Sequence, residues 1–208
     1  MTNNEIIFLH ISKTGGTTLR SVIQKQYSAD EIYDLDPSYF TSNSADYDRV
    51  FVERFNKLSK MPDIEKRQFH CFFNSRGYGL HNHLPQSIRY LTILRDPVDQ
   101  AVSSYYFAVN RPGHIYHQLV KEKNLDLIGY LEHINFDNLQ TRRLSGCDAL
   151  DSPVDKKVEL TDEIFEQACK NLREGIAVVG LLERFDESIL MMQDAFGWGD
   201  VRYIPKNI

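Results

Sequence analysis

Residues 5–19 read EIIFLHISKTGGTTL, an apolar run that stops abruptly at a loop rich in hydroxyl groups and glycine. The run at residues 5–11 is short, continuous and rich in β-formers, which is typical of a strand buried on both faces of a parallel sheet. Beyond the loop, apolar side chains recur at helical spacing, at Leu19, Val22, Ile23 and Tyr27. The first 27 residues therefore predict a strand, a loop and a helix.

The same alternation continues along the chain. Further strands are predicted at 68–73 (QFHCFF), 89–94 (RYLTIL) and 176–182 (IAVVGLL). Helices are predicted at 47–60, at 162–175 and from 186 to a stop near Gly197. Strands that alternate with helices predict an α/β domain with a mainly parallel central sheet.

The helix after the 89–94 strand has strong start signals. Asp96 is a natural N-cap, Pro97 fits the first helical position, and Asp99 places a carboxylate in the first turn. Its buried stripe is predicted to consist of apolar side chains: Val98, Ala101, Val102, Tyr105 and Val109.

Length, composition and charge restrict the class of protein. A chain of 208 residues, 42% hydrophobic and 25% charged, predicts one globular domain over residues 1–208. A net charge of −5 argues against a nucleic-acid partner, which favours a basic surface. Three scattered cysteines without C-x-x-C spacing predict reduced thiols. The sequence has no run of 18 apolar residues, so no membrane span is predicted. We therefore expect a soluble cytoplasmic protein.

The loop after the first strand has the composition of an anion cradle. Glycine lets the backbone approach a ligand, and the N-terminus of the following helix favours negative charge. A lysine adds positive charge and three threonines add hydroxyl donors, so the predicted cradle comprises Lys13, Thr14, Gly15, Gly16, Thr17 and Thr18. The order differs from G-x-x-x-x-G-K-[ST], and no acidic residue suited to Mg²⁺ is evident. The alternative is a plain strand-to-helix turn.

A second anion site is predicted on the same edge of the sheet. Arg95 directly follows the 89–94 strand, and Ser103 lies eight residues later. Ser103 is predicted to point about 140° away from the apolar stripe of its helix. The two side chains can clamp an anion through a charge-assisted fork and a hydroxyl. The alternatives are a salt bridge from Arg95 to Asp96 or Asp99, and a solvated helix face for Ser103.

Together, HISKTGGTTL and TILRDPVDQAVSSYY resemble the two cofactor motifs of the carbohydrate O-sulfotransferases, in the branch of the heparan sulfate 2-O- and 6-O-sulfotransferases and their bacterial relatives. The segments GLHNHLP, NLQTRRLSG and GLLERFDESI are also similar to that family, so the resemblance covers residues 6–208. It implies a P-loop-kinase-like three-layer sandwich and the donor 3′-phosphoadenosine 5′-phosphosulfate (PAPS), with 3′-phosphoadenosine 5′-phosphate (PAP) as product. The family usually continues beyond the final RYIPKNI, so we expect a domain short at its C-terminus.

The resemblance also implies roles for residues. The first loop, with Lys13 to Thr18, holds the 5′-phosphosulfate, and Arg95 with Ser103 holds the 3′-phosphate. Lys13 neutralises the leaving oxygen, no metal is required, and the acceptor is a hydroxyl group, by family a carbohydrate hydroxyl.

A histidine is the expected general base. The family position, at the end of the strand before GLH, implies His70, although Phe69 replaces a family glycine and the step to His81 is long. His81 and His83 are rivals. Arg142 either holds acceptor or cofactor, or forms an ion pair at the surface. The pair His114 and His117 has metal-ligand spacing but no third ligand nearby.

Two other functions fit the same motifs. A magnesium-dependent small-molecule kinase would use the first loop for phosphate. A non-catalytic nucleotide-binding module would explain an uncertain base and a short C-terminus.

Overall fold

A five-stranded sheet forms the centre of the computed structural model, which describes residues 4–36, 44–114, 116–133, 137–147, 150 and 158–205. The strands are β1 (Ile6–Leu9), β2 (Ile32–Asp34), β3 (Cys71–Asn74), β4 (Arg89–Leu94) and β5 (Ile176–Leu181). Their order across the sheet is β2-β3-β1-β4-β5, and every observed pairing is parallel. The predicted α/β fold with a parallel sheet is confirmed.

The strand order fixes where a ligand can bind. The chain leaves β1 toward β2 on one side of the sheet, and it leaves β4 toward β5 on the other. Neighbouring strands whose connections diverge in this way open a crevice at their carboxyl ends, which is the usual ligand site of open α/β sheets. In this chain the crevice lies between the loop that follows Leu9 and the segment that follows Leu94.

Helices cover both faces of the sheet. They are α1 (Gly16–Ile23), α2 (Ser44–Lys60), α3 (Asp63–Lys66), α4 (Pro97–Asn110), α5 (His117–Glu122), α6 (Leu127–His133), α7 (Leu139–Ser145), α8 (Asp162–Lys170) and α9 (Phe185–Phe196). One core cluster packs α1 and α9 on side chains such as Phe8 and Phe73. The other packs α2, α7 and α8 on the opposite face, against side chains such as Ile7 and Phe72. These layers give the predicted three-layer sandwich.

Several boundaries match the sequence prediction closely. β4 has the predicted range, and β5 ends one residue before the predicted end. α9 stops at Gly197, whose φ of 65° lies in the left-handed region that glycine tolerates. A π-helical turn at Asn171–Gly175 closes the helix predicted at 162–175. The short edge strand β2 was not predicted, because its surroundings are polar in sequence.

The predicted start of β3 was three residues too early, and its predicted end was one residue too early. Gln68 and Phe69 belong to the turn after α3, where their amides donate to Glu65 and Lys66 carbonyls. Parallel pairing begins only at Cys71, opposite Ile6 of β1. The strand therefore ends at Asn74, and His70 precedes its first residue.

The buried face of α4 also differs from the prediction. Val98 is 68% exposed, whereas Gln100, Ser104 and Ala108 are buried at helical spacing. The Gln100 side-chain amide donates to the Ser12 carbonyl at 2.7 Å, and the Ser104 hydroxyl lies 3.0 Å from the Tyr130 hydroxyl. Hydrogen bonds thus select the inner face of this helix, because a buried polar group with a partner is tolerated.

The three cysteines, all within the described part of the chain, are free thiols, and burial raises the pKa of the Cys71 thiol. No helix in the described ranges is long and apolar enough to cross a membrane.

Candidate functional site

The loop between β1 and α1 has a tightly specified backbone. Lys13 adopts φ 67°, a left-handed conformation that is strained for a residue with a side chain, and Gly15 adopts φ 80°. A Cβ on Gly15 would lie 2.8 Å from Leu182 Cδ1, and a Cβ on Gly16 would overlap the His10 ring. Both positions therefore require glycine, as expected where the backbone turns under close packing.

The N-terminus of α1 faces this loop without a capping side chain. Gly15 is its N-cap and supplies no side-chain hydrogen bond, and the first turn holds no acidic residue. An uncapped helix start of this kind favours an anion, because its amides and dipole are both positive there.

His10, held by the buried carboxylate of Asp36, packs against the first loop at Gly16. His10 follows β1, and its Nδ1 lies 2.6 Å from Oδ2 of Asp36, which is fully buried. Its ring packs against Gly16. These contacts give His10 a structural role in the loop.

The threonines differ in what they offer. The hydroxyl of Thr14 is buried and donates to the Ile11 carbonyl at 2.8 Å, so its hydrogen is used within the loop. Thr18 is also buried, whereas Thr17 is partly exposed. Thr14 and Thr18 therefore shape the cradle more than they line it.

The ammonium group of Lys13 sits among other cations. Its Nζ lies 3.6 Å from the centroid of the Phe107 ring, a cation–π contact from α4. The pKa of Lys13 is lowered to about 8, chiefly by burial and also by the charges of Arg95 and Arg111. Sequence reasoning missed Phe107 and Arg111, because their approach to Lys13 depends on how α4 packs.

Arg95 is fixed beside the loop. Its Nη1 donates to the Lys13 carbonyl at 3.2 Å. Its backbone is held by the Gln140 side chain, which accepts from the Arg95 amide at 3.1 Å and donates to the Arg95 carbonyl at 2.7 Å. The structure therefore joins Lys13 and Arg95, from two separate motifs, in one crevice.

No carboxylate pairs with Lys13, Arg95 or Arg111 within the described ranges. The alternative of an Arg95 salt bridge to its neighbours is not observed. The Asp96 carboxylate instead caps α4, accepting from the amides of Val98 and Asp99 at 2.9 and 3.1 Å. The crevice is therefore a cluster of positive charge without an internal counter-ion among these residues.

Ser103 lies on the side of α4 that meets the loop. It precedes Phe107 by four residues, so the two side chains share a helix face, and Phe107 contacts Lys13. Ser103 is partly exposed and has no hydrogen-bond partner in the described residues. Its position suits a ligand in the crevice, although no bond joins it to Arg95.

The structure does not bring His70 to the crevice. His70 lies before β3, at the amino end of the sheet, and its Nδ1 is 3.4 Å from Oε1 of Glu5. Lys13 lies beyond the opposite, carboxyl end of β1. The carboxyl end of β3 carries Asn74 and Ser75, both buried, where the family resemblance implied a histidine.

The rival histidines have other contacts. His81 Nδ1 lies 3.1 Å from the Tyr90 hydroxyl, and burial, with the neighbouring His83, lowers its pKa. His83 packs edge-on against Phe55. Neither has a contact with the first loop among the described residues.

Arg142 forms an ion pair, which was one of its two predicted roles, but its side chain is buried and not at the surface. It is buried in α7, and its Nη2 lies 2.9 Å from Oδ2 of Asp137, while its Nη1 donates to the Val158 carbonyl at 2.8 Å. Of the two histidines with metal-ligand spacing, His117 has its Nδ1 2.8 Å from the Ala108 carbonyl. No group of three metal-ligating side chains occurs in the described ranges.

Comparisons with known proteins give distant structural likenesses. No family model and no curated protein matches the chain. The chain is similar to the mouse sulfotransferase SULT7A1 complexed with PAP, at 15% identity and TM-score 0.47, over 95% of this chain and 60% of that one. It is also similar to retinol dehydratase in a complex with retinol and PAP, at 16% identity and TM-score 0.30, over 100% of this chain and 74% of that one. The chain thus spans 60% of the length of the mouse structure.

Proposed function

We propose that this chain is a sulfotransferase that binds PAPS in the crevice between β1 and β4 and transfers its sulfuryl group to a carbohydrate hydroxyl. The observation that carries the proposal is the cluster of Lys13, Arg95 and Arg111, which has no counter-ion among the described residues. Like charges held close together repel, so a multiply charged anion is the ligand that such a cluster favours.

The residues present fit a donor with two anionic ends. Gly15 and Gly16, at the uncapped start of α1, would offer backbone amides to a phosphosulfate, and Lys13 lies in the loop that precedes them. Arg95, which follows β4, and Ser103, on α4, would hold the 3′-phosphate. Arginine suits that role, because its planar fork matches phosphate oxygens and keeps its charge.

When bound, PAPS would supply a sulfuryl group: the acceptor oxygen bonds to sulfur, the bond from sulfur to the 5′-phosphate oxygen breaks with its electron pair, and the hydroxyl proton is released. Lys13 would stabilise the charge that develops on the departing phosphate oxygen. Its lowered pKa follows from burial beside two arginines, so an anion in the crevice would restore its preference for the charged form. The cation–π contact with Phe107 holds the ammonium group of Lys13 beside α4.

We do not assign the general base to His70. Its position at the amino end of the sheet, beside Glu5, separates it from Lys13 by the length of the strands. A base must reach the acceptor proton within hydrogen-bond distance or through one water molecule.

Calorimetry with PAP tests the proposal, with Arg95→Ala and a matched control, Arg173→Ala, at an exposed position away from the crevice. We expect wild type and Arg173→Ala to bind PAP equally, with or without magnesium. Loss of a charge-assisted contact in Arg95→Ala should weaken binding by about tenfold or more. Binding of ATP only with Mg²⁺, in preference to PAP, would favour the kinase alternative.

A transfer assay then separates an enzyme from a binding module. Radiolabelled PAPS is incubated with a panel of hydroxyl acceptors that includes sulfated and unsulfated oligosaccharides. We expect transfer to at least one carbohydrate, and its loss in Lys13→Ala. PAP binding without transfer to any acceptor would favour the non-catalytic module.

A further inference from the structure

The aromatic ring of Phe107 gathers basic groups from two segments. Lys13 Nζ lies 3.6 Å from its centroid, and Arg111 Cζ lies 5.0 Å from it. The His114 ring packs against it edge-on, with 5.1 Å between centroids. Residues 111 and 114, in the turn after α4, are thereby brought to the same ring as the lysine of the first loop.

That turn is held in place by hydrogen bonds. The His114 amide donates to the Arg111 carbonyl at 2.8 Å, and the His117 amide donates to the His114 carbonyl at 2.9 Å. His117 Nδ1 anchors the turn to the Ala108 carbonyl of α4 at 2.8 Å. Arg111 and His114 therefore have defined positions relative to Phe107.

His114 has the character of a neutral hydrogen-bond donor. The Tyr116 amide donates to its Nδ1 at 3.4 Å, so in the neutral ring the hydrogen belongs on Nε2. The pKa of His114 is lowered to about 4, chiefly by burial and also by the charges of Lys13, Arg111 and His117. A neutral imidazole beside cations can donate to an anionic oxygen without adding to the repulsion, whereas its Nδ1 is already occupied and is a poor base.

We propose that Arg111 and His114 bind the sulfuryl group of the donor and so distinguish PAPS from PAP. This inference rests on the proposed function. PAP and PAPS carry similar charge at the 5′ position, but in PAPS part of that charge lies farther out, on the sulfuryl oxygens. Arg95 and Ser103 are assigned to the 3′-phosphate, which both nucleotides carry. Arg111 and His114, which pack on Phe107 beside Lys13, are therefore left to bind the sulfuryl group that only PAPS carries.

Calorimetry with PAP and with PAPS, each without acceptor, tests the assignment. In Arg111→Ala we expect PAPS affinity to fall about tenfold, as for a charge-assisted contact, while PAP affinity stays within about twofold of wild type. His114→Ala should weaken PAPS binding by about threefold to tenfold, and His114→Gln should recover most of it, because the amide also donates. Arg173→Ala and His133→Ala, both at exposed positions, are matched controls.

The outcomes separate this inference from the function beneath it. If wild type binds neither nucleotide, the proposed function fails and this assignment fails with it. If wild type binds both, but Arg111→Ala and His114→Ala leave the ratio of PAPS to PAP affinity unchanged, the assignment alone is overturned. Nitrogen chemical shifts of the His114 ring give a second readout: a hydrogen on Nδ1 at neutral pH would contradict the donor role.

Discussion

Replacement of Gly16 by alanine tests how the first loop is built. The new Cβ would overlap Cδ2 and Nε2 of the His10 ring. Displacement of that ring costs free energy, because its Nδ1 is 2.6 Å from Oδ2 of the fully buried Asp36. Loss of a hydrogen bond to a charged group costs about 1.5–3 kcal/mol. Displacement of the helix backbone instead costs a similar amount, about 1–3 kcal/mol for overpacking.

The clash predicts strong coupling between the two positions. Gly16→Ala should lower the free energy of unfolding by about 1–3 kcal/mol in the wild-type background. In a His10→Ala background the overlap is gone, and alanine is favoured over glycine in a helix by roughly 0.5–1 kcal/mol. The coupling energy of this double-mutant cycle should therefore be about 1.5–4 kcal/mol.

Urea denaturation of the four proteins in the cycle measures this coupling. Gly199→Ala is a matched control, because the nearest atom to its added Cβ is 3.8 Å away, and it should change stability by less than about 0.5 kcal/mol. Equal effects of Gly16→Ala in both backgrounds, or an effect below about 0.5 kcal/mol in wild type, would refute the packing described for this loop.

Three further predictions concern charge and position. PAP binding favours the charged form of Lys13, whose pKa in the free protein is about 8, so calorimetry should show affinity that is full below pH 8 and declines as pH rises through it; a pH-independent affinity would exclude that role. His70→Ala should leave PAP affinity and sulfuryl transfer within about twofold of wild type, because His70 lies at the other end of the sheet; abolished transfer would return the base to this residue. Arg142→Ala should destabilise the protein by roughly 2–3 kcal/mol in urea denaturation, because the Val158 carbonyl and Asp137 lose their buried partner; an unchanged midpoint would argue against a structural role.

Sequence reasoning placed the sheet and its loops well where local signals were strong. β4 was predicted to the residue, because its continuous apolar run is followed directly by the clear start of α4, with Asp96 as N-cap and Pro97 as first helical residue. The structure also brings the two motifs to the same edge of the sheet. Lys13 and Arg95 lie in one crevice and are joined by a hydrogen bond.

The misplaced features depend on tertiary contacts. The start of β3 is set by its pairing with β1, which begins at Cys71. His70 therefore precedes the strand and lies at the end of the sheet opposite the crevice. The inner face of α4 is chosen by hydrogen bonds from Gln100 and Ser104, not by its apolar residues. Polar side chains at helical spacing give no signal of burial unless their partners are known.

The basic groups around Phe107 had no local signature at all. Arg111 and His114 lie in an irregular segment, and their approach to Lys13 follows from the packing of α4 against the first loop. A helical projection does place Ser103 and Phe107 on one face, so the spacing of four residues was the one clue available.

A crystal structure of the protein with PAP bound tests the central claim most directly. We predict the 5′-phosphate at the start of α1, against Lys13 and Gly16, and the 3′-phosphate against Arg95 and Ser103. A nucleotide bound outside the crevice between β1 and β4, or one whose phosphates contact neither Lys13 nor Arg95, would contradict it.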